Sequence, residues 1–556
     1  MNIGSRLTTQ VSATCRRVVS ILMLTVLVLS CAFAARRERL IESWKPLHFN
    51  IAIALDDRLT QITKATAEIT IQAVKDNVAI IDLDFGELLV DSVSVDGTAA
   101  HFERPSGRLN VALPKPLDRG SRIVVRVEYH GIPKDGLILS KDKSDKPSAI
   151  GDNWPDRVHH WIPTFDHPSA KASVNFSVTA PERALVVANG ALNHVTNAAD
   201  GKRTWTYSEP DLIPPYCMVI AVGEFAQLKP TQANRIPLSY FVPQTDADLA
   251  VKGFGPAGPS LKFFSETVAP YPYDKLDLIV GATRFGGMEN SSAIVFANNL
   301  FSARANSDQI SKVFNVRSGL VSLIAHEIAH QWFGDSLTES TWADLWLSEG
   351  FATYFSAMFI QKYEGEAAFR EIMRKDANTY FAFAKNTRLP LHDTETESLM
   401  RLLNANNYQK GSWVLHMLRS RLGDQAFFKG VRDFYLAHDE STASSEDLRS
   451  ALEKASGQKL KDFFDRWVYG AGHPQFEVSW NWQRMKNRGG TLTINLKQTQ
   501  PEAAFLDPIE IEIEGWKRMK ITPTGRESLF HIAVPTRPKD IHIDPDNLTL
   551  DETVSR

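Results

Sequence analysis

Ser322-Leu323-Ile324-Ala325-His326-Glu327-Ile328-Ala329-His330-Gln331-Trp332 contains the pattern H-E-x-x-H in a window free of proline and glycine. Its apolar residues recur at three and four, which predicts a helix. On a helix, His326 and His330 lie on one face with Cβ atoms about 5–6 Å apart. That spacing suits two imidazoles on one zinc ion. Glu327 is one step round the helix, so it faces the open side of such a metal as a general base rather than a ligand.

Eighteen residues intervene before Glu349, in Trp346-Leu347-Ser348-Glu349-Gly350-Phe351-Ala352-Thr353-Tyr354. This second apolar, helical segment carries a single acid. Burying Glu349 between Leu347 and Phe351 is costly unless a cation or hydrogen-bond donor meets it, and a metal is such a cation. Two histidines and one carboxylate leave the fourth zinc position to water, the catalytic rather than the structural arrangement. Asp335, Glu339 and Asp344 lie close by in sequence and are candidates to orient the imidazoles.

Outward from this centre, apolar residues recur mostly at three and four from Ser318 to Trp467, which predicts a largely helical region. A mixed stretch before it holds the strand-like Leu276-Asp277-Leu278-Ile279-Val280. From about Trp44 to Leu228 the chain instead shows short β-branched segments such as Ala67-Glu68-Ile69-Thr70-Ile71-Gln72 and Arg122-Ile123-Val124-Val125-Arg126-Val127. These predict an all-β domain. After Gly470-Ala471-Gly472-His473-Pro474 the two-residue alternation returns, for example in Ile509-Glu510-Ile511-Glu512-Ile513-Glu514, and predicts a small β-sandwich. The expected architecture is multidomain α+β, with an N-terminal β domain over 40–228, a mostly α-helical catalytic domain over 229–473 and a C-terminal β-sandwich over 474–556. At 556 residues, a division into several cores follows from length alone.

The charge balance, 62 basic against 65 acidic residues, gives no reason to expect a nucleic-acid or anionic-membrane partner. Residues 1–35 read as a secretion signal: Arg16 and Arg17, an apolar run from Val18 to Leu29, then Ala32-Phe33-Ala34-Ala35. The run is shorter than the roughly 20 residues that span a bilayer, so cleavage near Ala34 is expected and no stable membrane span after it. A retained anchor, or lipid on Cys31, is the lesser alternative. The chain has three cysteines, and cleavage would leave only Cys217, so no internal disulfide is expected. Export without disulfides points to a bacterial periplasm or the medium beyond it. Cys217, in an apolar stretch, reads as a buried structural thiol.

Gly286-Gly287-Met288-Glu289-Asn290 precedes the metal motif, and Tyr408-Gln409-Lys410-Gly411 follows it. With His326 to His330 and Glu349, these resemble the M1 family of gluzincin aminopeptidases, in the order G-x-M-E-N, H-E-x-x-H, eighteen residues, E. The resemblance covers about residues 44–550 and suggests a bacterial-type short form with a thermolysin-like catalytic domain. It implies one zinc on His326, His330 and Glu349, with Glu327 as general base and Tyr408 at the developing oxyanion. It also implies that Gly286 to Asn290 bind substrate, Glu289 holding the free amine of a peptide. The residues themselves agree, since glycines admit a substrate backbone and a carboxylate pairs naturally with an ammonium. Two further readings stand beside this one: a non-catalytic scaffold of the same fold, and an aminopeptidase that also opens a lipid epoxide. Scaffold relatives usually lose a ligand or the base, and here all four residues are present.

The chain departs from the family pattern in two places. Where many members carry a Gln or Glu as second amine anchor, Trp154 stands here, with Asp152 and Asn153 as substitutes for the role. His159 and His160, expected on a strand with side chains on opposite faces, read as structural. Larger members also have a helical domain roofing the cleft, and none follows the terminal β-domain here, so a more open cleft accepting longer peptides is expected.

Overall fold

The computed structural model describes residues 36–229, 233, 235–301, 309–485 and 489–555. The expected signal segment, 1–35, lies outside the described residues. Three layers of structure follow one another along the chain, and each follows from its sequence pattern.

In the first, an eight-stranded sheet runs in the order Ala191–Asn197, Lys202–Ile213, Ala172–Pro181, Trp44–Leu55, Ile62–Ala73, Arg122–Gly131, Leu89–Val95, Thr98–Ala99. Alternation decides which face is inside: Ile69 and Ile71, with their neighbours Ile123, Val125 and Val127 on the next strand, are buried, while Thr70 and Gln72 between them are not. A four-stranded and a three-stranded sheet complete this all-β unit.

The middle region opens with a five-stranded sheet in the order Phe225–Leu228, Leu238–Pro243, Leu276–Gly281, Ala293–Ala297, Gly287–Met288. Its last strand pairs antiparallel with Ala293–Ala297 through Gly287↔Phe296 and Met288↔Val295, and is the sheet's edge. Helices then dominate: α1 (Ala247–Gly253), α2 (Ala257–Thr267), α3 (Ser318–His330), α4 (Trp346–Glu364), α5 (Glu366–Ala384), α6 (Gly411–Leu422), α7 (Asp424–His438), α8 (Ser445–Ser456) and α9 (Lys461–Trp467). Helix α4 is central, with fourteen of its nineteen residues buried, as an all-round apolar helix must be. The C-terminal region packs a four-stranded against a three-stranded sheet, and Phe476, Leu492, Ile494, Ile511 and Ile513 form a core separate from the rest.

The first unit docks onto the loop that follows α3. Lys171 is buried and donates to the carbonyls of Asp335 (2.9 Å), Ser336 and Ser441 (3.3 Å). The Tyr216 hydroxyl donates to the Gly334 carbonyl at 2.9 Å, and the Cys217 thiol to Asp335 Oδ1 at 3.2 Å. Cys217 is free and fully buried, and burial pushes its thiol well above the usual range, as befits a structural thiol.

Candidate metal centre and substrate cleft

Helix α3 presents His326 and His330 one turn apart, and α4, packed against it, presents Glu349. The three side chains converge. Their donor atoms are 3.0 Å (His326 Nε2 to His330 Nε2), 3.3 Å (His326 Nε2 to Glu349 Oε2) and 3.4 Å (His330 Nε2 to Glu349 Oε2) apart. Ligands held at about 2.0–2.1 Å round a tetrahedral ion sit roughly 3.3 Å from one another, so this triangle fits one ion of that size. Among the described residues it is the one cluster of such groups close enough to hold a metal. Glu349 Oε2 is buried and accepts no conventional hydrogen bond, an orphan that a cation would satisfy.

Electrostatics agree with that fit. Burial alone would raise the Glu349 carboxyl, but the two imidazoles hold it down at about 2. Burial would likewise lower His330, yet Glu349 lifts it to about 10. The pocket therefore demands positive charge at this point. His330 Nδ1 can only donate to the carbonyl of Phe333, 3.0 Å away, and Ser348 Oγ lies 3.1 Å from the same nitrogen. That bond fixes the ring and turns Nε2 inward as the ligating atom.

Glu327 is buried beside the cluster. Burial pushes its carboxyl well above the usual range; His330 opposes this, and Glu289 and Glu349 add to it. The edge strand makes room for it: a Cβ on Gly287 would come within 2.4 Å of the Glu327 carboxyl carbon. Tyr408 lies in a π-helical turn, Asn406–Lys410, a rare geometry met often at functional sites. Its ring stacks on His326 with centroids 5.9 Å apart, and burial followed by the charge of Glu349 raises its phenol. The approach of this turn to α4 depends on a glycine pair. A Cβ on Gly350 would lie 2.9 Å from the Gly411 backbone, so helices α4 and α6 touch main chain to main chain next to Glu349.

These groups line a cleft of about 450 Å³. Gly286, Gly287, Met288 and Glu289 form one wall, whereas Asn290 is buried behind it, its amide donating to the Met288 carbonyl at 3.3 Å. Burial pushes the Glu289 carboxyl up to about 7, with His330 opposing and Glu349 reinforcing the shift. Of the acids considered for orienting the imidazoles, Asp335 instead meets Gln331 and Cys217, and Asp344 meets His392 and Ser445. Glu339 is buried with neither oxygen hydrogen-bonded.

Trp154 lines the cleft, edge-on to Phe285 at 6.0 Å. The substitutes suggested for the second amine anchor are committed elsewhere. Asp152 accepts from Arg157 Nη2 (2.9 Å) and Thr283 Oγ1 (3.0 Å), and Asn153 donates to the Met218 carbonyl and accepts from Trp161 Nε1 (2.8 Å). The expected strand at His159 and His160 is a 3-10 turn, Val158–His160, in which the rings lie together, tilted by 34° with centroids 4.3 Å apart, rather than on opposite sides. Each still has a structural partner, Asp166 for His159 and Glu87 for His160.

Two residues that sequence reasoning passed over matter here. Gln331 follows the metal motif directly and is fully buried. It donates to the Glu289 carbonyl and to Asp335 Oδ2, both at 2.8 Å, and accepts from the Ser292 amide (2.8 Å) and the Tyr271 hydroxyl (3.0 Å). It thereby ties the metal helix to the strand wall. The one signal in the sequence was an amide side chain directly after H-E-x-x-H, which names none of its partners. Asp376 on α5 lines the cleft as well, and no motif marks it.

The Peptidase M1 N-terminal domain model matches residues 45–217 and the Peptidase family M1 domain model residues 255–467. Aminopeptidase 2 of Candida albicans is 26% identical over 458 residues, covering 80% of this chain and 49% of that protein. Probable aminopeptidase 2 of Sulfurisphaera tokodaii is 27% identical over 467 residues, 80% of this chain and 57% of its own length. The chain thus spans about half the length of these curated relatives. The crystal structure of an M1 zinc metallopeptidase from Deinococcus radiodurans superposes with a TM-score of 0.64 at 22% identity, covering 77% of this chain and 94% of that one. With both family domains matched in order and this fold around the His-His-Glu cluster, the chain belongs to peptidase family M1.

Proposed function

We propose that the protein is a zinc aminopeptidase that removes the first residue of peptides with a free N-terminus. The observation that carries this reading is the triangle of His326, His330 and Glu349 beside a buried Glu327, facing an open strand edge that ends at Glu289. Zinc, when bound by those three residues, lowers the pKa of a water molecule and polarises a carbonyl.

The chain's own residues do the rest. The peptide lies along the Gly287–Met288 edge, whose far side pairs with no strand among the described residues, and adds to it by main-chain hydrogen bonds. Its α-ammonium pairs with the Glu289 carboxylate, and this contact, worth about 1.5–3 kcal/mol, sets the register at the first peptide bond. Glu327 Oε takes the proton of the attacking water and returns it to the departing amine, a double duty suited to a carboxyl held above its ordinary range. The Tyr408 hydroxyl donates to the oxygen on which charge develops.

The test is a panel of aminoacyl fluorogenic amides, each paired with its N-acetylated form, with and without chelator and on Glu327→Ala. Activity on free amines alone, lost in both controls, is expected; activity surviving both controls would end this reading. Residues 1–35 further suggest export, which mass measurement of the mature chain beginning near Ala35 would test. Among the described residues no helix is long and apolar enough to cross a membrane.

A further inference from the structure

Asp376 is the acid of the cleft that the proposed chemistry leaves without a task. It projects from α5 one turn beyond Ile372, and both line the cleft with Thr353 and Ser356 of α4. One of its carboxylate oxygens is buried with no hydrogen-bond partner, and among the described residues it has no ion pair. The nearby hydroxyls do not serve it: Thr353 Oγ1 donates to the Glu349 carbonyl at 2.7 Å and Ser356 Oγ to the Thr353 carbonyl at 2.9 Å. Burial alone pushes its carboxyl up to about 7, with no neighbouring cation to offset it. Away from the two metal-binding imidazoles the charged lining is acidic: Glu289, Glu327, Glu349 and Asp376 are present, and among the described residues no lysine or arginine.

Two of those acids have assigned partners, the metal for Glu349 and the substrate amine for Glu289, and Glu327 handles the proton. A half-buried carboxylate in a substrate cleft, with one oxygen shut from water and unpartnered, calls for a cation carried by the substrate. Along α4, the face Glu349, Thr353, Ser356 advances about 10 Å from the metal ligand, a distance within reach of a long basic side chain. We propose that Asp376 is a specificity residue that pairs with the lysine or arginine side chain of a residue flanking the scissile bond. Cationic peptides are thus the preferred substrate class and acidic ones are disfavoured. This inference rests on the aminopeptidase reading.

Two tripeptide-amide series test it, X-Leu-Leu and Leu-X-Leu, with X as lysine, norleucine or glutamate, so that the position of the basic residue is read directly. In one series, kcat/KM for lysine should exceed that for norleucine about tenfold or more, with glutamate slowest. In Asp376→Asn the lysine-to-norleucine ratio should fall to about one, and Asp376→Glu should restore much of it. A wild-type ratio near one in both series, or an unchanged ratio in Asp376→Asn, overturns the proposal. If no peptide loses its first residue, the aminopeptidase reading fails instead. The selectivity is then judged by calorimetry on full-length Glu327→Gln, where lysine and norleucine peptides of equal affinity would overturn it.

Discussion

The helical wall of the cleft and its strand wall are fastened in opposite ways. The helical wall holds the metal donors by contact: α4 is buried all round, and Gly350 meets Gly411 backbone against backbone. The strand wall holds Glu289 by hydrogen bonds, with Gln331 bridging the Glu289 carbonyl, the Ser292 amide, Tyr271 and Asp335. Groups that must converge on one point are fixed by close packing, which tolerates no added volume. A group that grips a flexible substrate is fixed by a polar hub, which tolerates no lost donor.

Four substitutions press on that contrast. Glu327→Ala removes the proton carrier from the helical wall without touching a metal donor, so kcat should fall about 10²–10⁴-fold while metal content by elemental analysis stays at one per chain. Retained activity, or lost metal, would show that the base lies elsewhere. Gln331→Leu strips the strand wall of four hydrogen bonds and strands their buried partners, at a cost of about 3 kcal/mol in denaturant unfolding with a raised KM. An unchanged KM would mean that the edge strand holds its place without the amide. Gly350→Ala drives a methyl group into the Gly411 backbone and should cost about 2 kcal/mol, with a drop in kcat rather than a rise in KM, since Glu349 and Tyr408 are spread apart. A stable, fully active Gly350→Ala protein would refute the packing account. Glu289→Gln keeps the hub and removes only the charge, so KM for free-amine substrates should rise about tenfold, roughly 1.4 kcal/mol, with kcat little altered.

How much of this was legible in the chain follows the same division. The metal donors were readable because their geometry is local: an i, i+4 pair on one helix and one acid on an apolar neighbour. The β units were readable from alternation, as at Ile69 and Ile71, which face inward together. The polar hub was not, since the partners of Gln331 lie 39, 42 and 60 residues away as well as four. The same holds for Asp152, whose bond to Thr283 spans 131 residues and takes it out of contention as an amine anchor. His159 and His160 misled because period-two reasoning presumes a strand, and the chain makes a turn there. Asp376 sits on an amphipathic helix whose polar residues mostly meet solvent, and only the packing of α5 against α4 reveals that one of its carboxylate oxygens does not.

The ammonium of Lys171, driven from the first β unit into three carbonyls beneath the metal loop, has a bearing on how the molecule comes apart. Peeling the two units from one another would bare a charge on one side and a ring of acceptors on the other, in a place water reaches only once both have opened. They should therefore melt as a single cooperative body, and a protease that nicks the β unit should silence a centre whose ligands all lie more than 150 residues beyond Lys171.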